Sequence, residues 1–149
     1  MSTHVDELAG MVGQELGVSD WVTVDQEQIN LFADATGDHQ WIHVDEPRAR
    51  AGQFGATIAH GYLTLSMLSI FLAPVLELDG VSMQVNYGVD KVRFPHPVPV
   101  GSRLRARVSV DSVDEQQRGV LLRMACVIEL EGSEKPACVA SPLALLVRS

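Results

Sequence analysis

Asp38 and His43 stand five residues apart in Phe32-Ala33-Asp34-Ala35-Thr36-Gly37-Asp38-His39-Gln40-Trp41-Ile42-His43-Val44-Asp45. A carboxylate and an imidazole aimed at one point can hold a single water between them, one taking a proton from it while the other returns one. A second segment, Ile58-Ala59-His60-Gly61-Tyr62, puts a glycine at the head of a strongly apolar run. If that run is a helix, its first N–H groups lack partners within it, and they suit an oxygen that gains negative charge. Each residue also has a plainer role. Asp38 after Gly37 fits a turn or a cap. A solitary His43 would be a structural imidazole, and only its pairing with Asp38 makes it a catalytic candidate. His60 fits a supporting or capping role, and His39 and His96 fit the surface. The spacing of Asp38, His39 and His43 matches no helix-borne zinc motif, so no metal is expected.

The elements that must aim these groups follow from the pattern on either side. Asp25 is a good N-cap with Gln28 three residues on, and Ile29, Phe32 and Ala33 give one apolar face ending before Gly37. Asp45, followed by Glu46-Pro47-Arg48-Ala49, predicts a second capped helix with proline in its first turn. The residues between, 37–43, form a polar and aromatic loop held at both ends. Residues 60–73 carry bulky apolar side chains in nearly every direction around a helix, with Pro74 as its stop. Such a helix belongs inside something.

After it the chain reads as strands, over residues 81–94, 102–113, 120–130 and 137–147, with a short strand at 21–24 before the first helix. Arg103, Arg105, Arg107 and Ser109 alternate with Leu104, Ala106, Val108 and Val110, the period-two pattern of a half-buried antiparallel strand. The arginine face is read as a solvated outer face of the sheet. Asp79-Gly80, Arg118-Gly119 and Glu131-Gly132 supply turn residues tolerant of positive φ, and Pro142 marks a bulge or an edge in the last strand. A long apolar helix followed by long antiparallel strands predicts an α+β fold. It is a single hotdog domain over residues 1–149, with a curled antiparallel sheet wrapped around a long central helix. Such a sheet exposes strand edges, and a homodimer would cover them.

The totals set limits. A chain of 149 residues can build one sizeable core without disulfides, and Cys126 and Cys138 sit in apolar runs as small buried thiols. With 19 acidic residues against 11 Lys and Arg, the formal net charge of -8 opposes binding to nucleic acid or an anionic membrane. The first 17 residues lack the basic start and apolar core of a secretory signal, and no apolar stretch reaches spanning length, so a cytoplasmic location is expected.

The spaced Gly37-Asp38-x-x-x-x-His43-x-Asp45 loop and the Ala59-His60-Gly61 helix start resemble the signature of MaoC-like dehydratases, the (R)-specific enoyl-CoA hydratase family. The wording of the loop is closest to the NodN-like branch of that family. Asn86-Tyr87-Gly88 leading to Arg93-Phe94, and Pro97-Val98-Pro99-Val100-Gly101, extend the likeness over nearly the whole chain. The resemblance implies that Asp38 and His43 are the catalytic pair and that the Gly61 amide polarises a thioester carbonyl. His60, Tyr62, Ser66, Asn86 and Arg93 are candidates for supporting the pair or binding substrate. The implied reaction is reversible (R)-specific hydration of a trans-2-enoyl-CoA to a (R)-3-hydroxyacyl-CoA, with no cofactor beyond the CoA of the substrate. Many members have Asn-Pro where this chain has Gln40-Trp41. Acyl length would be set by a pocket beside the helix, closed by Tyr62, Leu65, Leu68 or Met83. Two other functions fit the fold: an acyl-CoA thioesterase, which needs a carboxylate but no paired imidazole, and a non-catalytic acyl-CoA-binding protein, which needs neither.

Overall fold

The structure, a computed structural model, describes residues 2–149. Strand β1 (Thr3–His4) runs into a 3-10 turn (Val5–Met11), then β2 (Glu15–Val18) and β3 (Val22–Thr23). Helices α1 (Gln26–Thr36), α2 (Trp41–Val44), α3 (Glu46–Arg50), α4 (Gly61–Ser66) and α5 (Leu68–Val75) follow. Then come β4 (Leu78–Asp79), β5 (Val81–Arg93), β6 (Arg103–Glu115), β7 (Gly119–Leu130) and β8 (Cys138–Arg148). The main sheet is antiparallel in the order β2-β6-β7-β8-β5, with β3 also on β6, while β1 and β4 form a small parallel pair. This is the expected hotdog arrangement.

Alternation explains why the sheet curls onto the helices. Leu104, Ala106, Val108 and Val110 of β6 are fully buried, and they share one core with Leu63 of α4, Leu68 and Phe71 of α5, and Met67 between the two helices. On the other face Arg105 and Arg107 both reach Glu129, Arg107 also reaches Glu15, and Arg103 reaches Glu131. The Trp21 indole lies under the Arg105 guanidinium at 4.4 Å. The arginines are therefore the solvated outer face, spent on neighbouring carboxylates, in pairs of a kind worth about 0–1 kcal/mol each. Cys126 and Cys138 are free and buried, and burial pushes their thiols up to about 12 and about 11.

The central helix differs from the expected unbroken rod. It consists of α4 and α5 in line, joined through Met67, whose carbonyl accepts from both Ile70 N and Phe71 N at 3.1 Å. One tightened turn thus interrupts an otherwise continuous ladder. Pro74 lies inside α5 and does not stop it, because Leu76 N still reaches Leu72 O at 2.8 Å. Nor is the helix enclosed all round: Tyr62 is 73% and Ile70 55% exposed.

Three smaller expectations also change. Pro142 lies in β8, an interior strand, where the β7–β8 ladder lapses between Arg123/Leu143 and Cys126/Ala140 and the register shift falls in β5 between Asn86 and Gly88. The lapse on the β7 side accommodates a residue without an N–H, while Pro142 stays opposite Val89 of β5. Gly119 opens β7 because a Cβ there would overlap the Leu146 carbonyl, not for a positive φ, whereas Gly80 and Gly132 do adopt positive φ at 81° and 83°. The N-terminal segment, given no elements by pattern, carries β1, the 3-10 turn and β2, and it buries Val5 and Leu8. No helix among the described residues is long and apolar enough to cross a membrane.

Candidate active site

Asp25 caps α1 as its spacing requires, its side chain accepting from Gln28 N at 2.9 Å. At the other end Gly37 takes the left-handed conformation, φ 81°, and its N–H closes on Ala33 O. The cap turns the chain sharply, so that Asp38 emerges directly from the helix end. Asp45 caps α3 by accepting from Arg48 N at 3.1 Å. Between these anchors the expected loop contains one helical turn, α2, and His43 is carried on it. Where many members of the resembled family have Asn-Pro, Gln40 is an N-cap with no side-chain capping bond. Trp41 sits in a slot between Gly52, where a Cβ would approach the indole to 3.1 Å, and the Arg48 guanidinium at 4.3 Å. Packing of an indole thus fixes a turn that a proline would otherwise stiffen.

His43 is 6% exposed, and its Nδ1 lies 2.7 Å from Ile58 O. A carbonyl only accepts, so Nδ1 carries the proton, and in the neutral ring Nε2 carries the lone pair. Burial is the largest influence on this group and lowers its pKa below the ordinary 6.5. The Ile58 carbonyl and Asp38 pull against that, and His60 reinforces it. The imidazole is therefore neutral at pH 7 and equipped to accept a proton. The Asp38 side chain is exposed, and its Oδ1 accepts from Gln40 N at 3.3 Å.

His60 completes the cluster. It is 3% exposed, its ring is stacked on that of His43 with centroids 3.9 Å apart, and Phe32 packs on it at 4.9 Å. Its Nε2–H donates to the Asp38 carbonyl at 2.9 Å, which leaves Nδ1 buried and without a partner among the described residues. One ligating atom each from Asp38, His43 and His60 lies within 4.8 Å of the others. The stack opposes chelation: ring nitrogens direct their lone pairs in the ring plane, and two nearly parallel planes 3.9 Å apart do not converge on one ion.

The remaining candidates divide. Gly61 opens α4, and its amide bonds to no acceptor among the described residues. The Phe94 ring covers its Cα so closely that a Cβ would meet ring carbons at 3.1 Å. Tyr62 points to solvent, and the Ser66 hydroxyl is spent on Tyr62 O at 2.7 Å. Arg93 turns back to its neighbour's carbonyl, Val92 O, at 2.7 Å. Ser66 and Asn86 line a cavity of about 540 Å³ between α4–α5 and strands β5 and β8, with Leu65, Leu68, Leu72 and Met124 on its walls. Of the four residues expected to close a pocket beside the helix, Leu65 and Leu68 line this one, while Tyr62 and Met83 do not. His39 pairs with Asp34 at 2.9 Å on the surface, which raises its pKa, and His96 binds Pro97 O at 2.6 Å.

Two residues that motif reading passed over touch the site. The Gln26 side-chain amide donates to His43 O at 2.8 Å, and Thr57, 2% exposed, donates to that same Gln26. Nothing local marks them, since their partners lie 17 and 31 positions away. The Pro97-Val98-Pro99-Val100 stretch also gains a role: Val98 O accepts from Ala59 N and Val100 N donates to Thr57 O, pinning the segment before α4.

The family described as MaoC like domain matches residues 7–125. The 3-hydroxyacyl-thioester dehydratase Z of Mycobacterium tuberculosis is 54% identical over 140 residues, 93% of each chain. Nodulation protein N of Rhizobium meliloti is 44% identical over 144 residues, 95% of this chain and 89% of that one. Among solved structures, an unliganded R-hydratase from Pseudomonas aeruginosa superposes with a TM-score of 0.76 at 25% identity, covering 93% of this chain and 83% of its own.

Proposed function

The chain belongs to the family of MaoC-like domains, and from that premise we propose that it is a hydro-lyase of hydroxyacyl thioesters, reversibly adding water to a trans-2-enoyl-CoA to give the (R)-3-hydroxyacyl-CoA. The observation that carries the reading is the meeting of the Asp38 carboxylate with a buried, neutral His43 whose tautomer leaves Nε2 open to accept a proton. The dehydratase and hydratase names of the relatives support the same class of reaction.

In the hydration direction, a water held by Asp38 and His43 attacks C3 of the enoyl thioester. One water proton passes to the pair as the C3–O bond forms. The electron pair of the double bond moves onto the thioester as an enolate, its oxygen facing the open Gly61 N–H. A proton returned by the pair to C2 completes the product, so the site ends in the protonation state in which it began. Acid–base catalysis of this kind supplies about 10²–10⁴-fold and an oxyanion donor about 10²–10³-fold. No step calls for a metal or a redox cofactor. The cavity beside α4 and α5 receives the acyl chain, because the same helix carries Gly61 at its start and Leu65, Leu68 and Leu72 along its length. A thioesterase or a simple binding protein leaves the Asp38–His43 pairing unexplained.

The open sheet edge supports a homodimer. Among the described residues, strand β5 is long and pairs on one side only, and it exposes Met83, Val85, Tyr87 and Val89. A second copy covering that edge would satisfy its backbone and bury its side chains.

The test is hydration of crotonyl-CoA and longer enoyl-CoAs, followed by loss of the conjugated thioester absorbance with chiral analysis of the product. Turnover to the (R) product supports the assignment. No turnover on any chain length, or an (S) product, overturns it.

A further inference from the structure

His43 is held by a closed circuit of hydrogen bonds beyond the one bond its own turn gives it, from His43 N to Gln40 O at 3.0 Å. The Thr57 hydroxyl donates to Gln26 Oε1 at 2.5 Å. The Gln26 amide nitrogen donates one hydrogen to His43 O at 2.8 Å and the other to Asn30 Oδ1 at 2.9 Å. The His43 ring donates to Ile58 O at 2.7 Å, and Ile58 N returns to Ile42 O at 3.0 Å. Residues 57 and 58 therefore grip His43 at both ends, the backbone carbonyl through Gln26 and the ring directly. Backbone bonds from Val98 and Val100 hold that grip in place.

Every polar group of the Gln26 amide is used, two donors and one acceptor, so it has one orientation. Reversed, it would set its oxygen against the His43 carbonyl. The circuit matters because α2 is a single turn with no side-chain cap of its own, too short to be rigid in isolation.

We infer that Gln26 and Thr57 are positioning residues for the reaction, fixing where His43 presents Nε2 without touching the substrate. This rests on the proton-handling role proposed for His43. Misplacing a reacting group by about 1 Å can cost about 10²-fold in rate, so a loosened circuit acts on kcat rather than on binding.

Three variants of the full chain separate the circuit from simple packing. Thr57→Val keeps the shape and removes the hydroxyl, Thr57→Ser keeps the hydroxyl, and Gln26→Glu keeps an acceptor for Thr57 while turning an oxygen on His43 O. The expected result is a kcat about 10-fold or more below wild type for Thr57→Val and Gln26→Glu, with KM within about threefold, and near-normal kcat for Thr57→Ser. Ring-nitrogen NMR of His43 should show one Nδ1–H tautomer in wild type and tautomer averaging in the two impaired variants. That readout does not need turnover, so it separates failure of the circuit from failure of the hydratase assignment. Gln26 is only part-buried, so Gln26→Glu carries the test should Thr57→Val not fold. Wild-type kcat in Gln26→Glu, a Thr57→Ser variant as slow as Thr57→Val, or an unchanged ring tautomer in both impaired variants overturns the inference.

Discussion

Replacing His60 by alanine separates a residue that arranges the site from one that performs chemistry. The substitution removes the stack on His43 at 3.9 Å, the donor to Asp38 O at 2.9 Å and the contact with Phe32. A lost hydrogen bond costs about 1 kcal/mol net, and truncating a buried ring to a methyl costs about 3 kcal/mol. Removing the orphaned Nδ1 returns about 2 kcal/mol, because its desolvation was never compensated. The variant should therefore be about 2 kcal/mol less stable, lowering Tm by about 4–8 °C for a chain of this length. With the Asp38 carbonyl released, kcat should fall about 10-fold. The pH profile gives the sharper reading. In the proposed mechanism His43 works as the neutral ring, and its folded pKa is depressed, so activity should be full above 6.5 and be lost as pH falls through that lowered value. Deleting His60 removes one depressing neighbour and admits water, so the acid limb of kcat/KM should move up toward 6.5. The same sign governs stability: the His43 contribution is complete above 6.5 and fades on acidification. Scanning calorimetry and a pH series of initial rates measure both. A loss beyond 10²-fold with an unmoved acid limb would make His60 a participant in proton transfer and refute the argument.

Asp38→Asn and His43→Ala should each lower kcat by at least about 10²-fold in folded protein, and near-normal crotonyl-CoA hydration by either would remove the pair from the mechanism. Gly61→Val should depress kcat/KM strongly. Because its Cβ also strikes Phe94, the double variant with Phe94→Ala is the control: rescue there would mean that the glycine accommodates the ring rather than a thioester oxygen. Light scattering should give twice the 16.2 kDa chain mass, with Val85→Lys driving the protein toward monomer. A stable wild-type monomer at micromolar concentration would count against the β5 contact.

What the sequence made legible was whatever depends on near neighbours. Period-two alternation around Arg103, Arg105 and Arg107 located β6 within two residues at either end and told its faces apart. Asp25, Gly37 and Asp45 act through bonds to residues within four positions, so the brackets around the loop that carries Asp38 and His43 could be read directly. The helix from Gly61 was visible as apolar content, but its tightened turn at Met67 was not, because composition does not encode which carbonyls share a bond. Ser66, Asn86 and Arg93 are candidates through a resemblance, and the fold sends two of them to the cavity beside α4 and α5 and the third to the Val92 carbonyl. Gln26 and Thr57 carry polar groups in ordinary positions, and only the fold brings them to His43. The first 17 residues were silent because β2 owes its existence to β6, far along the chain.

The place of β8 in the strand order bears on how the molecule is made. It is synthesised after every other described strand of its sheet, yet it lies between β7 and β5, and β5 has no other partner among the described residues. Until residues 138–148 leave the ribosome, β5 waits as an unpaired ribbon and the flank of α4 that touches β8 stays uncovered. A nascent chain is thus at its stickiest until those residues have emerged, the stage at which a holdase chaperone would have most to bind.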